Sequence, residues 1–171
     1  MRALVVYESL FGNTRDVALA VAEGIAQHMP VETVEVGAAP ADVGEDVTLL
    51  VVGGPTHGHG LTTPSSRSDA SRRAGGDVVS HGIGIREWVD GLRPARDRVV
   101  ATFDTRIKGP EFLWGSAAKA AAKRLRATGF TRVEEPHSFL LDGPTGPPFN
   151  RLRPGELDKA RGWGAALATR A

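Results

Sequence analysis

Cysteine is absent from the 171 residues, which excludes disulfides, thiolate metal sites, iron–sulfur clusters and cysteine nucleophiles. Long hydrophobic runs are missing too: nothing approaches the roughly 18 uninterrupted apolar residues of a membrane span. The apolar stretch within Met1–Tyr7 is too short for the core of a signal peptide. The expectation is a soluble, cytoplasmic protein that does not enter membranes. An excess of one charge is also lacking. Lys and Arg number 21 against 20 Asp and Glu, a formal net charge of +1, which supplies no global field for recruiting nucleic acid. Charge is uneven along the chain, with 5 basic and 10 acidic residues in 1–85 and 16 basic and 10 acidic in 86–171. Such runs are ordinarily solvated faces. Tyrosine occurs once, as Tyr7.

What is present is globular. Hydrophobic residues make up 41% and charged residues 24%, and the length suits one domain, 1–171. Ala3–Tyr7, Val47–Val52 and Val99–Phe103 are short, nearly continuous apolar runs, the pattern of strands buried on both faces of a parallel sheet. Val31–Val36 alternates and reads as an edge strand. Thr131–Leu141 reads as a last strand with Pro136 at a bulge or edge. Helices are expected over Asp16–Met29, with Val17, Val21 and Ile25 on one stripe, over Gly115–Thr128, and over Pro154–Thr169. Trp88 and Trp114 read as core anchors. Pro64–Gly84 lacks periodicity and reads as an irregular surface insertion, and Gly143–Asn150 as a proline-stiffened connection.

Alternating strands and helices imply an α/β doubly wound sandwich of about five parallel strands. In such sheets ligands bind beyond the carboxyl ends of the strands, so the loops after strands one, three and four are the candidates. The first loop, Ser9-Leu10-Phe11-Gly12-Asn13-Thr14, places two hydroxyls, an amide and a glycine at a helix start, where free N–H groups attract a phosphate. The plainer reading is that Asn13 or Thr14 caps the helix. A Walker loop, the cysteine loop of low-molecular-weight tyrosine phosphatases, a Gly-x-Gly-x-x-Gly turn and the acidic cluster of receiver domains are all absent here. A monophosphate fits best. His57 and His59 form no metal site by themselves, since no third ligand lies near in sequence.

Tyr7–Thr14 resembles the phosphate loop of the flavodoxin family, and the resemblance continues through Gly53-Gly54-Pro55-Thr56-His57-Gly58-His59 and the ending Leu125…Gly129-Phe130…Asp142-Gly143…Gly162-Trp163. It implies a three-layer flavodoxin-like sandwich, a five-stranded sheet of order 2-1-3-4-5, and FMN used in electron transfer. It implies that Ser9, Leu10, Phe11, Gly12, Asn13 and Thr14 hold the phosphate. Pro55, Thr56, His57, Gly58, His59 and Gly60 then pass one face of the flavin ring, with His57 packed on it and the Gly58 peptide able to turn toward it. Phe103, Asp104, Thr105 and Arg106 stand where the family covers the other face, commonly with a tyrosine that this chain lacks; Phe103 also reads as core, Arg106 as facing the ring or the phosphate or simply as solvated, and Trp114 has the flavin edge as its alternative to the core. The expected partners are redox proteins. An NAD(P)H-dependent quinone or flavin reductase and a flavin-free binding module on the same fold are the alternatives.

Overall fold

The computed structural model describes residues 1–94, 98–143 and 151–171; most of the Gly143–Asn150 connection therefore lies outside the described residues. The elements run β1 (Arg2–Tyr7), α1 (Asn13–Ile25), β2 (Val31–Glu35), β3 (Val47–Pro55), α2 (Pro64–Arg73), α3 (Ile85–Asp90), β4 (Val99–Ile107), α4 (Glu111–Trp114), α5 (Ala117–Ala127), β5 (Thr131–Arg132), β6 (His137–Leu141) and α6 (Glu156–Ala168). All strand pairs are parallel, in the order β2-β1-β3-β4-β5. The expected fifth strand is split. β5 pairs with Val99 and Val100, β6 pairs with Phe103–Ile107, and the chain leaves the ladder between them, where Pro136 has no N–H to donate.

Side-chain alternation sorts the strands' apolar residues into two cores. Leu4, Val6, Leu50, Val52 and Val100 pack under α3 and α5 with Trp88, Val89 and Leu125. Ala3, Val5, Leu49, Val51, Ala101 and Phe103 face α1 and α6 with Val17, Val21, Ala160 and Leu167. Each large side chain so buried contributes roughly 1.5–3 kcal/mol. Helices α1 and α6 cross in close contact because Gly24 and Gly164 lack side chains: a Cβ at either would run into the other helix's backbone, at Arg161 or Val21.

The segment expected to be irregular contains a helix. Thr63 accepts from Ser66 N while Ser66 Oγ accepts from Thr63 N, a reciprocal capping box, and Pro64 stands in the first turn of α2. Mean hydropathy and periodicity miss α2 because only Ala70 of it is buried. Among the described residues no helix is long and apolar enough to cross a membrane.

Candidate functional site

The loops after β1, β3 and β4 meet at the carboxyl ends of the strands, as the winding of the sheet requires. In the first loop Gly12 is the N-cap of α1 at φ 93°, and no side chain caps the helix. Neither Asn13 nor Thr14 does so. The buried Ser9 hydroxyl accepts from Gly12 N at 3.1 Å, bending the loop into the helix. Thr14 shares a 2.7 Å hydrogen bond with Thr105 across the site. A Cβ at Gly12 would meet only the Arg15 guanidinium. Gly12 thus leads directly into α1, whose dipole places partial positive charge at this end.

After β3, His57 and Gly60 exchange backbone hydrogen bonds of 2.9 and 3.3 Å, and the two residues between them, Gly58 and His59, have φ of 55° and 73°. Two positive values in a two-residue turn are the signature of type I′. Thr56 fixes the turn's base, donating its N–H to Thr105 O at 3.0 Å and accepting from Ala117 N at 2.9 Å. Its tip is held by a bridge between His59 and Gly115; a side chain at Gly115 would collide with the His59 carbonyl.

Two adjoining cavities lie between these loops. One, of about 160 Å³, runs from Leu10, Phe11, Asn13 and Thr14 past Pro55, Thr56 and His57 to Thr105, Arg106, Ile107 and Leu141. The other, of about 270 Å³, shares Thr56, His57, Arg106 and Ile107 with it and continues to Gly58, His59, Leu113 and Trp114. Positions above Gly58 and Gly60 are open, with no atom within 4 Å of an added Cβ. Together they form one elongated slot from the start of α1 to Trp114. His57 is half-buried at the junction. Burial lowers its pKa, Arg73 nearby lowers it further and Asp69 opposes both, so the neutral ring is favoured.

The structure separates the residues read from the sequence. Ser9, Gly12 and Gly60 shape the loop backbones, and Phe103 and Asp104 lie away from both cavities. Phe103 is fully buried, its ring filling the space over Gly53 and meeting Phe139 and Trp163 edge-on at 5.8 and 6.1 Å. Asp104, on the opposite face of β4, is buried and accepts from Ser116 Oγ at 2.6 Å and from Ala118 N at 3.0 Å. It is a capping group for α5. Arg106 lines both cavities, but its guanidinium is braced by Ser138 Oγ at 3.1 Å and Gly109 O at 3.0 Å. Trp114 is no core anchor. It is 41% exposed and walls the second cavity, whereas Trp88 is buried and donates to Pro40 O.

Sequence reasoning missed the polar frame behind the first loop. Glu8, fully buried, accepts from Thr62 Oγ1 at 2.5 Å and from Ile85 N at 2.9 Å. Arg67 donates to Thr62 Oγ1 at 2.9 Å and pairs with Glu87 at 3.1 Å. Burial raises the pKa of Glu8 despite the hydrogen bonds that favour its charge. The one signal in the sequence was a carboxylate closing an otherwise apolar strand.

No protein-family model matches the chain, and no curated protein does. Solved structures match in fold. A flavodoxin from the domain Archaea is 20% identical with a TM-score of 0.67, over 99% of this chain and 97% of that one. The flavodoxin of Streptococcus pneumonia TIGR4 is 14% identical with a TM-score of 0.66 over the full length of both. The rubredoxin oxygen:oxidoreductase of Desulfovibrio gigas, 18% identical with a TM-score of 0.64, matches 98% of this chain with 35% of its own. The chain has the flavodoxin-like fold.

Proposed function

We propose that this flavodoxin-like chain binds FMN in the two joined cavities and works in electron transfer. The observation that carries the reading is the pairing of an uncapped α1 N-terminus with a slot that runs from it between the β3 and β4 loops. Residues Ser9–Thr14 would hold the phosphate, Thr56–Gly60 and Thr105–Ile107 would border the ring, and Trp114 would stand at its outer end. When bound, the flavin supplies the redox chemistry; the protein supplies anchoring, packing and exclusion of water. A neutral, half-buried His57 packs on a flat ring without a charge to desolvate.

One observation favours a second reading, an NAD(P)H-dependent quinone or flavin reductase. The β4 loop brings Arg106 and Ile107, not an aromatic ring, to the slot, and the outer cavity opens at the half-exposed Leu113 and Trp114. That leaves room for a second planar molecule.

The test is titration of purified protein with FMN and with riboflavin, followed by flavin fluorescence. FMN should bind at least tenfold more tightly, the worth of a single charge-assisted hydrogen bond or more. Equal affinities would overturn the phosphate assignment. Steady-state NADPH oxidation with a quinone then separates the reductase from a carrier that waits for a protein partner.

A further inference from the structure

Residues 78–80 cross directly behind the loop that follows β1. Val79 N donates to Leu10 O at 3.0 Å, Ser80 N donates to Ser9 O at 2.8 Å, and the Ser80 hydroxyl accepts from Ser9 N at 3.0 Å. Both serines are buried, at 0% and 2% exposure. Further along the chain Ile85 N, at the start of α3, donates to the Glu8 carboxylate. Residues 8, 9 and 10 are therefore each bonded by the stretch from Val79 to Ile85.

These bonds decide which charges the loop presents. A short loop carries as many carbonyl dipoles as N–H dipoles, and it attracts an anion only where the N–H groups converge and the carbonyls turn away. Here the Ser9 and Leu10 carbonyls are both directed into the segment behind. The Ser9 N–H is withdrawn as well, into the Ser80 hydroxyl. The Ser9 hydroxyl accepts from Gly12 N and keeps its own proton for donation.

We propose that residues 78–80 act as a backing strut whose Val79 and Ser80 N–H groups turn the Leu10 and Ser9 carbonyls out of the anion site and so set the preference for a phosphorylated flavin, with the Ser80 hydroxyl fixing the Ser9 peptide in that orientation. The proposal rests on the FMN reading above. It assigns a role to a stretch with no counterpart in the motifs that carry the family resemblance.

The experiment compares FMN and riboflavin affinities for wild type, Val79→Pro and Val79→Ala, with thermal melts of each. Val79→Pro, which removes the donor to Leu10 O, should lose about tenfold in FMN affinity while riboflavin affinity stays within twofold, and Val79→Ala, which keeps the N–H, should keep the preference. Ser80→Pro, which removes the donor to Ser9 O, should show the same selective loss and stands in if Val79→Pro does not fold. A fall in both affinities together, or in neither, overturns the strut, because a purely structural contact would not separate the two flavins. If wild type itself fails to prefer FMN, it is the phosphate reading that has failed, and the strut goes with it.

Discussion

Thr14 and Thr105 share a hydrogen bond of 2.7 Å between buried hydroxyls that lie 91 positions apart. It joins the first turn of α1 to the outer half of β4, so the two walls of the inner cavity are fastened to each other near their base.

Thr14→Val should cost about 1–3 kcal/mol, because it leaves the Thr105 oxygen buried without its partner, and Thr105→Val should cost a similar amount. The double variant should lose less than the two singles together, by a coupling of about 0.5–3 kcal/mol. Urea unfolding of the four proteins measures this. Simple additivity would mean the two hydroxyls do not interact.

Asp104 yields a prediction opposite to the one a ligand role would make. Its Oδ2 serves Ser116 and Ala118 while its Oδ1 is buried without a partner. Asp104→Ala should therefore destabilise the fold by about 2–3 kcal/mol through loss of the α5 cap. Asp104→Asn keeps one acceptor oxygen for the two donors, so it should cost less than Asp104→Ala. FMN affinity should change little in either variant that folds. A variant that loses FMN but melts like wild type would return Asp104 to the site.

How far the sequence could be read followed from where the physics is local. The strand runs and the α1 and α5 stripes are apolar patterns with their own periods, and the parallel sheet and its binding edge follow from them. Phe103 reads as core and lies there, whereas Asp104 departs from its expected place because residue type and loop position suggest a ligand contact, while strand alternation, which needs the register, sends its side chain under α5. The α2 helix was missed because its signal is a capping box, Thr63 to Ser66, and not an apolar face. Composition makes tryptophan a core residue, but for Trp114 the alternative place at the site's edge is the one the structure shows: Gly115 turns the chain there at φ 71° to seat against His59, and Trp114 walls the cavity. The bonds from Ser80 to Ser9 span 71 positions and leave no trace in any window of sequence.

Two glycines of the site should respond differently to the same change. Gly58 and Gly115 both have positive φ, at 55° and 71°, but only Gly58 faces open space; a Cβ at Gly115 collides with the His59 carbonyl. Gly58→Ala should cost about 1–2 kcal/mol for the left-handed backbone alone. Gly115→Ala should cost more than that, because the turn must also separate from α4. Thermal melts of both decide the matter. Equal losses would mean that the 57–60 turn is not seated on Gly115.

The last prediction concerns pH and Glu8. Its carboxyl is fully buried between Thr62 and Ile85, and desolvation raises its pKa above the ordinary value, with the Thr62 and Ile85 hydrogen bonds and the Arg67 charge pulling the other way. The protonated form is therefore favoured more in the folded chain than in the unfolded one. By linkage, the stabilisation from this group is fully present below the unfolded value, about 4.3, and is lost as pH rises through the higher folded value. His57 and His137 act in the opposite direction. Burial lowers both, so each contributes stability that is present above about pH 6.5 and lost on acidification through its lowered value. The raw pH profile mixes these slopes, and the useful quantity is the difference in unfolding free energy between wild type and Glu8→Gln, in which the histidines cancel. Measured by urea unfolding over about pH 4–8, that difference should favour wild type most at the acidic end and shrink as pH rises above the ordinary carboxyl range. A flat difference would mean that Glu8 ionises as easily inside the fold as outside it. The Thr62, Ile85 and Arg67 frame would then be neutralising the charge in full.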